Sequence, residues 1–440
     1  MNKIIKNISW LFFDKFLKIF GNLFVGVLIA RKLGAEDFGF FNYMNSILII
    51  LSIFSSLGLH NIAIKLIITS EDEKNLVLGN CFLLQIFSGF LAFFLSVIFL
   101  YKSSLSPEYF LIGSIFCFSL VFSFSNVPAI YFESQLNSKY IVICQNSIFL
   151  FFAAVKIYSI WNNESLYYLA ITCLVESILY TALIYYVFFI FNNKIVKFKY
   201  SFDGAVFLLK KSWPLLVSGF AAALYTKIDQ LFLVKFIGTS AAGIYSAASR
   251  IVEITYILPV AISASIFPIL YKINESDKES YERRISNLFD FLVVSGVLLS
   301  ITVTIFSEHI IFFIYGAEFL QSKEVLVILI WSSTFVFLGI ASSRWYIAEG
   351  LMWITLKRAL FTCILNVALL FMLIPSWGVK GAAYSALISQ IFSCFIFDLL
   401  DRSTWKILKI KFSAIYIFGS FQRTYKMTKD FGCHIRKGLN

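Results

Sequence analysis

At 440 residues the chain could hold two or three soluble domains, but its composition excludes that: 59% of residues are hydrophobic and only 14% charged, whereas a water-facing shell needs roughly a quarter charged residues. Mean hydropathy is +0.83, the signature of a membrane protein. The net charge of +12 does not indicate nucleic acid, because the lysines and arginines are spread over loops and form no basic domain able to hold a duplex.

Windows of about 20 residues place twelve apolar spans in chain order. They lie near 10–30, 40–61, 76–100, 109–131, 141–161, 167–191, 213–237, 241–270, 289–315, 325–348, 359–375 and 382–400. The start of the chain is short and basic with no small-residue cleavage site after its apolar run, so the first span is expected to remain as an anchor. Pro259 and Pro268 interrupt the eighth span, and Pro128 lies near the end of the fourth. Each removes a helix-internal donor and permits a bend. The fold class expected is therefore an all-α polytopic membrane protein.

Charge sets the expected orientation. Loops after even-numbered spans, with Lys3, Lys6 and the segment after Asp401, carry about 25 cations against about 6 on the opposite side, which by the positive-inside rule puts both termini in the cytoplasm. A polar, lysine-rich connection at 192–212 divides the chain into an N-terminal half (1–200), a C-terminal half (213–400) and a basic tail (401–440). The tail has two readings: it lies on the inner membrane surface, drawn to anionic lipid, or it is loosely ordered and solvated.

The halves carry a faint repeat. Arg31-Lys32-Leu33-Gly34 precedes Gly39, and Lys235-Phe236-Ile237-Gly238 precedes Gly243. Both glycines recur 204 positions apart, each followed two residues later by an aromatic, Phe41 and Tyr245. Glycine here supplies a tight turn or close helix approach. An even number of spans per half makes these parallel repeats, related by an axis along the membrane normal.

Ionisable residues inside the spans are the functional candidates, because a charge in lipid is costly. The first span holds Asp14, Lys15 and Lys18; Asp14 and Lys18 share a helix face. They are either a snorkelling cluster at the interface or part of a cavity wall. Lys156 lies in the fifth span and Glu176 in the sixth. Lys227 and Asp229 lie in the seventh on nearly opposite faces, and Arg250 and Glu253 in the eighth on one face. Arg344 lies in the tenth. Ion pairing between neighbouring helices accounts for the four charges of the seventh and eighth spans without any transport role. Against that, the cations Lys15, Lys18, Lys156, Lys227, Arg250 and Arg344 outnumber the acids, and a positive excess favours anionic cargo such as phosphate. No nucleophile elbow, phosphate loop or metal spacing occurs, and no external loop is long enough for a catalytic domain, so the chain is not expected to be an enzyme. The seven cysteines have no metal spacing and are expected as small packing residues.

The stretch Ala30-Arg31-Lys32-Leu33-Gly34-Ala35-Glu36-Asp37-Phe38-Gly39, followed by Ser56-Leu57-Gly58-Leu59, resembles the opening of Wzx-type polysaccharide flippases, members of the multidrug/oligosaccharidyl-lipid/polysaccharide exporter superfamily. Lys227-Ile228-Asp229-Gln230, then Gly243 to Arg250, Pro259 and Phe267-Pro268, is similar to that family's seventh and eighth spans. Gly378-Val379-Lys380-Gly381-Ala382-Ala383 resembles the turn entering its last helix.

The resemblance implies a V-shaped transporter of two six-helix bundles around a cationic cavity, working by alternating access. It implies a cargo of undecaprenyl-diphosphate-linked O-antigen or capsule repeat units, flipped across the bacterial inner membrane alongside other polysaccharide assembly proteins, for lipopolysaccharide or related glycan synthesis. It carries Lys227, Asp229 and Arg250 into the substrate path. No cofactor is implied; coupling to protons or sodium ions is, with Asp229, Glu253 and Glu176 as candidates. The rivals are an ion-coupled multidrug exporter, which would need its acids and not its cations, and a non-transporting scaffold, whose charges would all be structural.

Overall fold

The computed structural model describes residues 2–70, 73–103, 105–162, 165–192, 198–274 and 277–416, with 419, 422 and 423. All regular structure among them is helical. Ten helical stretches among the described residues are long and apolar enough to cross a membrane, and the twelve expected spans match them to within three residues at their ends. The difference in number arises at two glycines. Helix α1 (Asn2–Ser56) would extend over about 80 Å at 1.5 Å per residue, more than twice the hydrocarbon core of about 30 Å. At Gly34 its backbone leaves the helical region (φ 76°, ψ −178°), a conformation that glycine adopts without a Cβ penalty. Helix α13 (Met352–Ile391) is broken in the same way at Gly378 (φ 58°, ψ −135°). One residue thus replaces a loop, and two spans read as one element.

The chain separates into two compact units, the first Met1–Gly243 and the second from Ile244 onward. The first holds α1, α2 (Leu59–Thr69), α3 (Lys74–Lys102), α4 (Pro107–Phe118), α5 (Asn126–Ser134), α6 (Ser138–Trp161), α7 (Leu166–Asn192) and α8 (Phe202–Phe236). Its division from the second falls later than the 192–212 connection because α8 packs along α1. Phe54 meets Phe220 edge to face, and Ser46 bonds to Gln230. A core of Leu59, Ile67, Leu78, Ile130, Phe132 and Phe188 holds α2, α3, α5 and α7 together. On α3, Phe87, Phe94 and Ile98 share an exposed face, an apolar surface that lipid satisfies and water does not.

Within the first unit the two repeat glycines meet. A Cβ on Gly39 would lie 1.8 Å from the carbonyl oxygen of Thr239, and one on Gly243 would lie 2.0 Å from that of Ala35. Thr239 and Ala35 are themselves 204 positions apart, so the contact is reciprocal. Backbone packs on backbone, which only glycine allows at such a distance.

Pro128 shapes α5. It cannot donate to the carbonyl four residues back, and the chain before it runs as a 3₁₀ segment, Ser119–Ser125. The carbonyl left by the missing donor, that of Phe124, accepts from the Tyr185 hydroxyl at 3.0 Å.

The second unit contains most of α9 (Thr239–Thr255), then α10 (Ile257–Asn274), α11 (Lys278–Tyr315), α12 (Ser322–Ala348), α13, the short α14 (Phe397–Leu399) and α15 (Trp405–Ile415). The α9–α10 break at Tyr256 comes three residues before Pro259, as its missing donor requires. The core is built on Tyr281, Phe289, Phe337, Trp345, Phe397 and Ile407. Ile407 comes from the tail, so its first part is an ordered helix packed on α11, and the loosely ordered reading does not hold for Trp405–Ile415. Asp401 caps the turn before it, accepting from the hydroxyl and amide of Ser403. The Ser403 hydroxyl first, and its amide second, hold the Asp401 carboxyl below the usual carboxylate range. Residues 424–440, including Cys433 and His434, lie outside the described residues. The other six cysteines form no disulfide, and five of them are buried.

Candidate functional site

In the first unit, α1 places Asp14 and Lys18 one turn apart. Lys18 Nζ lies 2.9 Å from Asp14 Oδ1 and donates to Gln145 Oε1 on α6 at 2.5 Å. Gln145 in turn donates to the Tyr180 hydroxyl on α7 at 3.1 Å. The chain of polar groups thus crosses three helices. Lys18 keeps about a third of its side chain exposed (32%), enough for a third partner. Lys15 is exposed on another face of α1.

Tyr180 also lines a cavity of about 240 Å³. Its wall comes from Leu48, Ser52 and Ser55 of α1, the 3₁₀ segment with Ser119, Leu120, Phe122, Ser123 and Ser125, and Asn126 and Ser177. No ionisable carboxylate or cation lines it. Each of Ser52, Ser55, Ser119, Ser123 and Ser177 donates its proton to a backbone carbonyl. The oxygen lone pairs remain as acceptors, so the cavity suits a ligand rich in hydroxyl donors. A cation network and a neutral hydroxyl-lined cavity therefore share one residue, Tyr180.

Lys156 and Glu176 bond to each other at 2.5 Å across α6 and α7, with side chains 13% and 23% exposed. Lys156 therefore has a carboxylate partner in the apolar region. Lys227 and Asp229 lie on α8; Asp229 is 7% exposed, next to Gln230, whose side chain reaches Ser46.

In the second unit, Arg250 and Glu253 occupy α9, with Arg250 half-buried and Glu253 exposed, and Arg344 is exposed near the end of α12. A further charged network was not anticipated. Lys411 of α15 and Asp398 of α14 are both fully buried and 2.6 Å apart. Lys411 also donates to the Cys394 carbonyl at 3.0 Å, inside a π-turn at Phe392–Ile396. Asp398 accepts from the Tyr346 hydroxyl, and the Arg358 guanidinium stands 5.5 Å over the Tyr346 ring. Asp290, 1% exposed, is gripped by two nitrogens of Arg423 at 2.6 and 2.8 Å. That carboxylate holds the Arg423 guanidinium above its usual range. Asp398 and Asp290 lie within the apolar runs and could have been picked out there; their partners, in the tail, have no such signal. Among the described residues no group of three or more potential metal ligands occurs.

The fold and these networks define a multi-pass helical membrane protein with charges buried among its spans. Residues 4–274 match the family described as polysaccharide biosynthesis protein, and the chain belongs to it. The Staphylococcus aureus protein "Capsular polysaccharide biosynthesis protein CapF" is 24% identical over 401 residues, covering 88% of this chain and 96% of its own length. A Haloferax volcanii protein named "Probable low-salt glycan biosynthesis flippase Agl15" is 25% identical over 195 residues, 43% of this chain and 41% of that one. Among solved structures, the lipid II flippase MurJ in an inward closed conformation superposes with a TM-score of 0.72 at 17% identity, over 98% of this chain and 99% of its own. An inward-facing MATE family transporter of the MOP superfamily gives 0.74 at 14% identity, over 89% and 94%. These two establish the fold.

Proposed function

We propose that the protein is a flippase that moves polyprenyl-diphosphate-linked oligosaccharide from the inner to the outer leaflet of the bacterial cytoplasmic membrane by alternating access. In this reading both termini face the cytoplasm, and the cargo is an undecaprenyl-diphosphate-linked capsule or O-antigen repeat unit. The observation that carries it is the Lys18–Gln145–Tyr180 chain ending on a hydroxyl-lined cavity. A cation meets the diphosphate, and neutral acceptors beside it meet sugar hydroxyls. Family membership and the names borne by the relatives support the same reading. Lys15, Lys156, Lys227, Arg250 and Arg344 complete the proposed cationic path, and Asp229, Glu253 and Glu176 are the proposed coupling acids for protons or sodium ions. Asp229 leads these as a carboxylate buried within the apolar run of α8.

The test uses a strain lacking the gene. Completed lipid-linked repeat units are expected to accumulate facing the cytoplasm, and the restored gene to clear them. Lys18→Gln, in protein that reaches the membrane, is expected to cut export about 10- to 100-fold, the effect of one charge-assisted bond of about 1.5–3 kcal/mol. Lys18→Arg is expected to restore most of it. Normal sidedness of the glycan, with altered sensitivity to organic cations, would overturn the proposal in favour of a multidrug exporter.

A further inference from the structure

Helix α15 and the start of α11 line a second cavity, of about 520 Å³, which has no residue in common with the one lined by Tyr180. Its wall includes Arg283 and Ser286 of α11 and Trp405, Lys406 and Lys409 of α15. The acid in it, Glu282, bonds to Lys406 at 2.7 Å, so the charges of Arg283 and Lys409 remain in excess, and both side chains are exposed. The place therefore attracts an anion.

The shape of α15 says which kind. Its buried face is Ile407, Leu408, Lys411 and Ala414. Its other face, at steps of four and three residues, presents Trp405, Lys409 and Phe412, with Tyr416 just past the helix end; the three aromatics are 46%, 54% and 70% exposed. Aromatic rings with a lysine among them are what a helix places at the headgroup level of a bilayer. The buried Lys411–Asp398 pair and the Arg423–Asp290 clasp fix this face, so the cavity is held open and not formed by a wandering tail. A soluble phosphate would need no apolar rim; a lipid phosphodiester does, because its acyl chains must lie against apolar surface, and aromatic rings suit the headgroup level where the two meet.

We infer that Arg283 and Lys409 form a binding site for the phosphodiester headgroup of an anionic phospholipid, with Trp405 and Phe412 against its glycerol and acyl region. Ser286 supplies a hydroxyl to the same phosphate. The site shares no residue with the proposed glycan path, and its failure would leave that reading intact.

Native mass spectrometry of the full-length protein in detergent tests this, with phosphatidylglycerol and phosphatidylcholine titrated separately. One tight phosphatidylglycerol site is expected and no equivalent phosphatidylcholine site. At about fivefold per cation near a headgroup, Arg283→Gln with Lys409→Gln is expected to weaken that site roughly 25-fold. The charge-matched control Lys278→Gln with Arg284→Gln, both exposed on the same helix but outside the cavity, is expected to leave it unchanged. Equal loss in both double variants, or displacement of the lipid by millimolar inorganic phosphate, would overturn the assignment. Thermal unfolding of each variant checks that the helix still packs.

Discussion

Replacing Gly39 by alanine probes the repeat contact at its tightest point. The new Cβ would stand 1.8 Å from the Thr239 carbonyl oxygen and 2.7 Å from the Gly243 nitrogen. A carbon meets a carbonyl oxygen at about 3.3 Å at the closest, so the two backbones must part by about 1.5 Å. Both neighbours are main chain, and no rotamer change relieves them. A gap of even 1 Å forfeits up to about half of each dispersion contact, and overpacking of this kind costs about 1–3 kcal/mol or more. Alanine recovers only about 0.5–1 kcal/mol of helix propensity. A net loss of about 2 kcal/mol is expected for Gly39→Ala and for Gly243→Ala. The double variant should cost less than the sum, since the first substitution opens the space that the second needs. The assay is the midpoint of thermal unfolding in detergent, with Gly339→Ala as the control. There the nearest atom is the end of the Arg358 side chain at 3.4 Å, so a gain of about 0.5–1 kcal/mol is expected. Wild-type stability in Gly39→Ala, or strict additivity in the double variant, would refute the reciprocal packing.

Lys411→Met is expected to destabilise by about 3–5 kcal/mol by leaving the buried Asp398 carboxylate unpaired; adding Asp398→Asn should recover much of the loss in the same unfolding measurement. Lys156→Met should likewise do more harm than Lys156→Met with Glu176→Leu, because the pair lies 2.5 Å apart and largely out of solvent. If export also returns in that double variant, Lys156 serves structure and not the substrate path.

Much of the fold was legible because hydrophobic spans are a strong signal: each of the twelve expected segments matches part of a membrane-length helix to within three residues at its ends. The joins were legible in part: a tight glycine turn was expected near Gly34 and a turn near Gly378, and each bends the chain through one positive-φ residue, so that two spans run on as one helical element. The 204-residue spacing of Gly39 and Gly243 was visible, but not that they pack on each other's turns. Among the candidate residues, the helix spacing of Asp14 and Lys18 anticipated their bond. Gln145 and Tyr180 were not legible: both are ordinary polar residues, and only the packing of α6 and α7 brings them to Lys18. The serine cavity was hidden for a similar reason, since single serines in apolar runs carry no periodic mark. Lys411 looked like one more basic tail residue because its partner, Asp398, belongs to the preceding span.

The central claim is tested most directly by purified protein in liposomes loaded with a fluorescent polyprenyl-diphosphate oligosaccharide, read as the fraction of glycan that becomes accessible to an enzyme added outside. The wild type is expected to expose inner-leaflet glycan, Lys18→Gln to do so at least about tenfold more slowly, and empty liposomes not at all. Equal exposure with and without the protein, under an imposed proton or sodium gradient of either direction, would contradict the assignment as a glycan flippase.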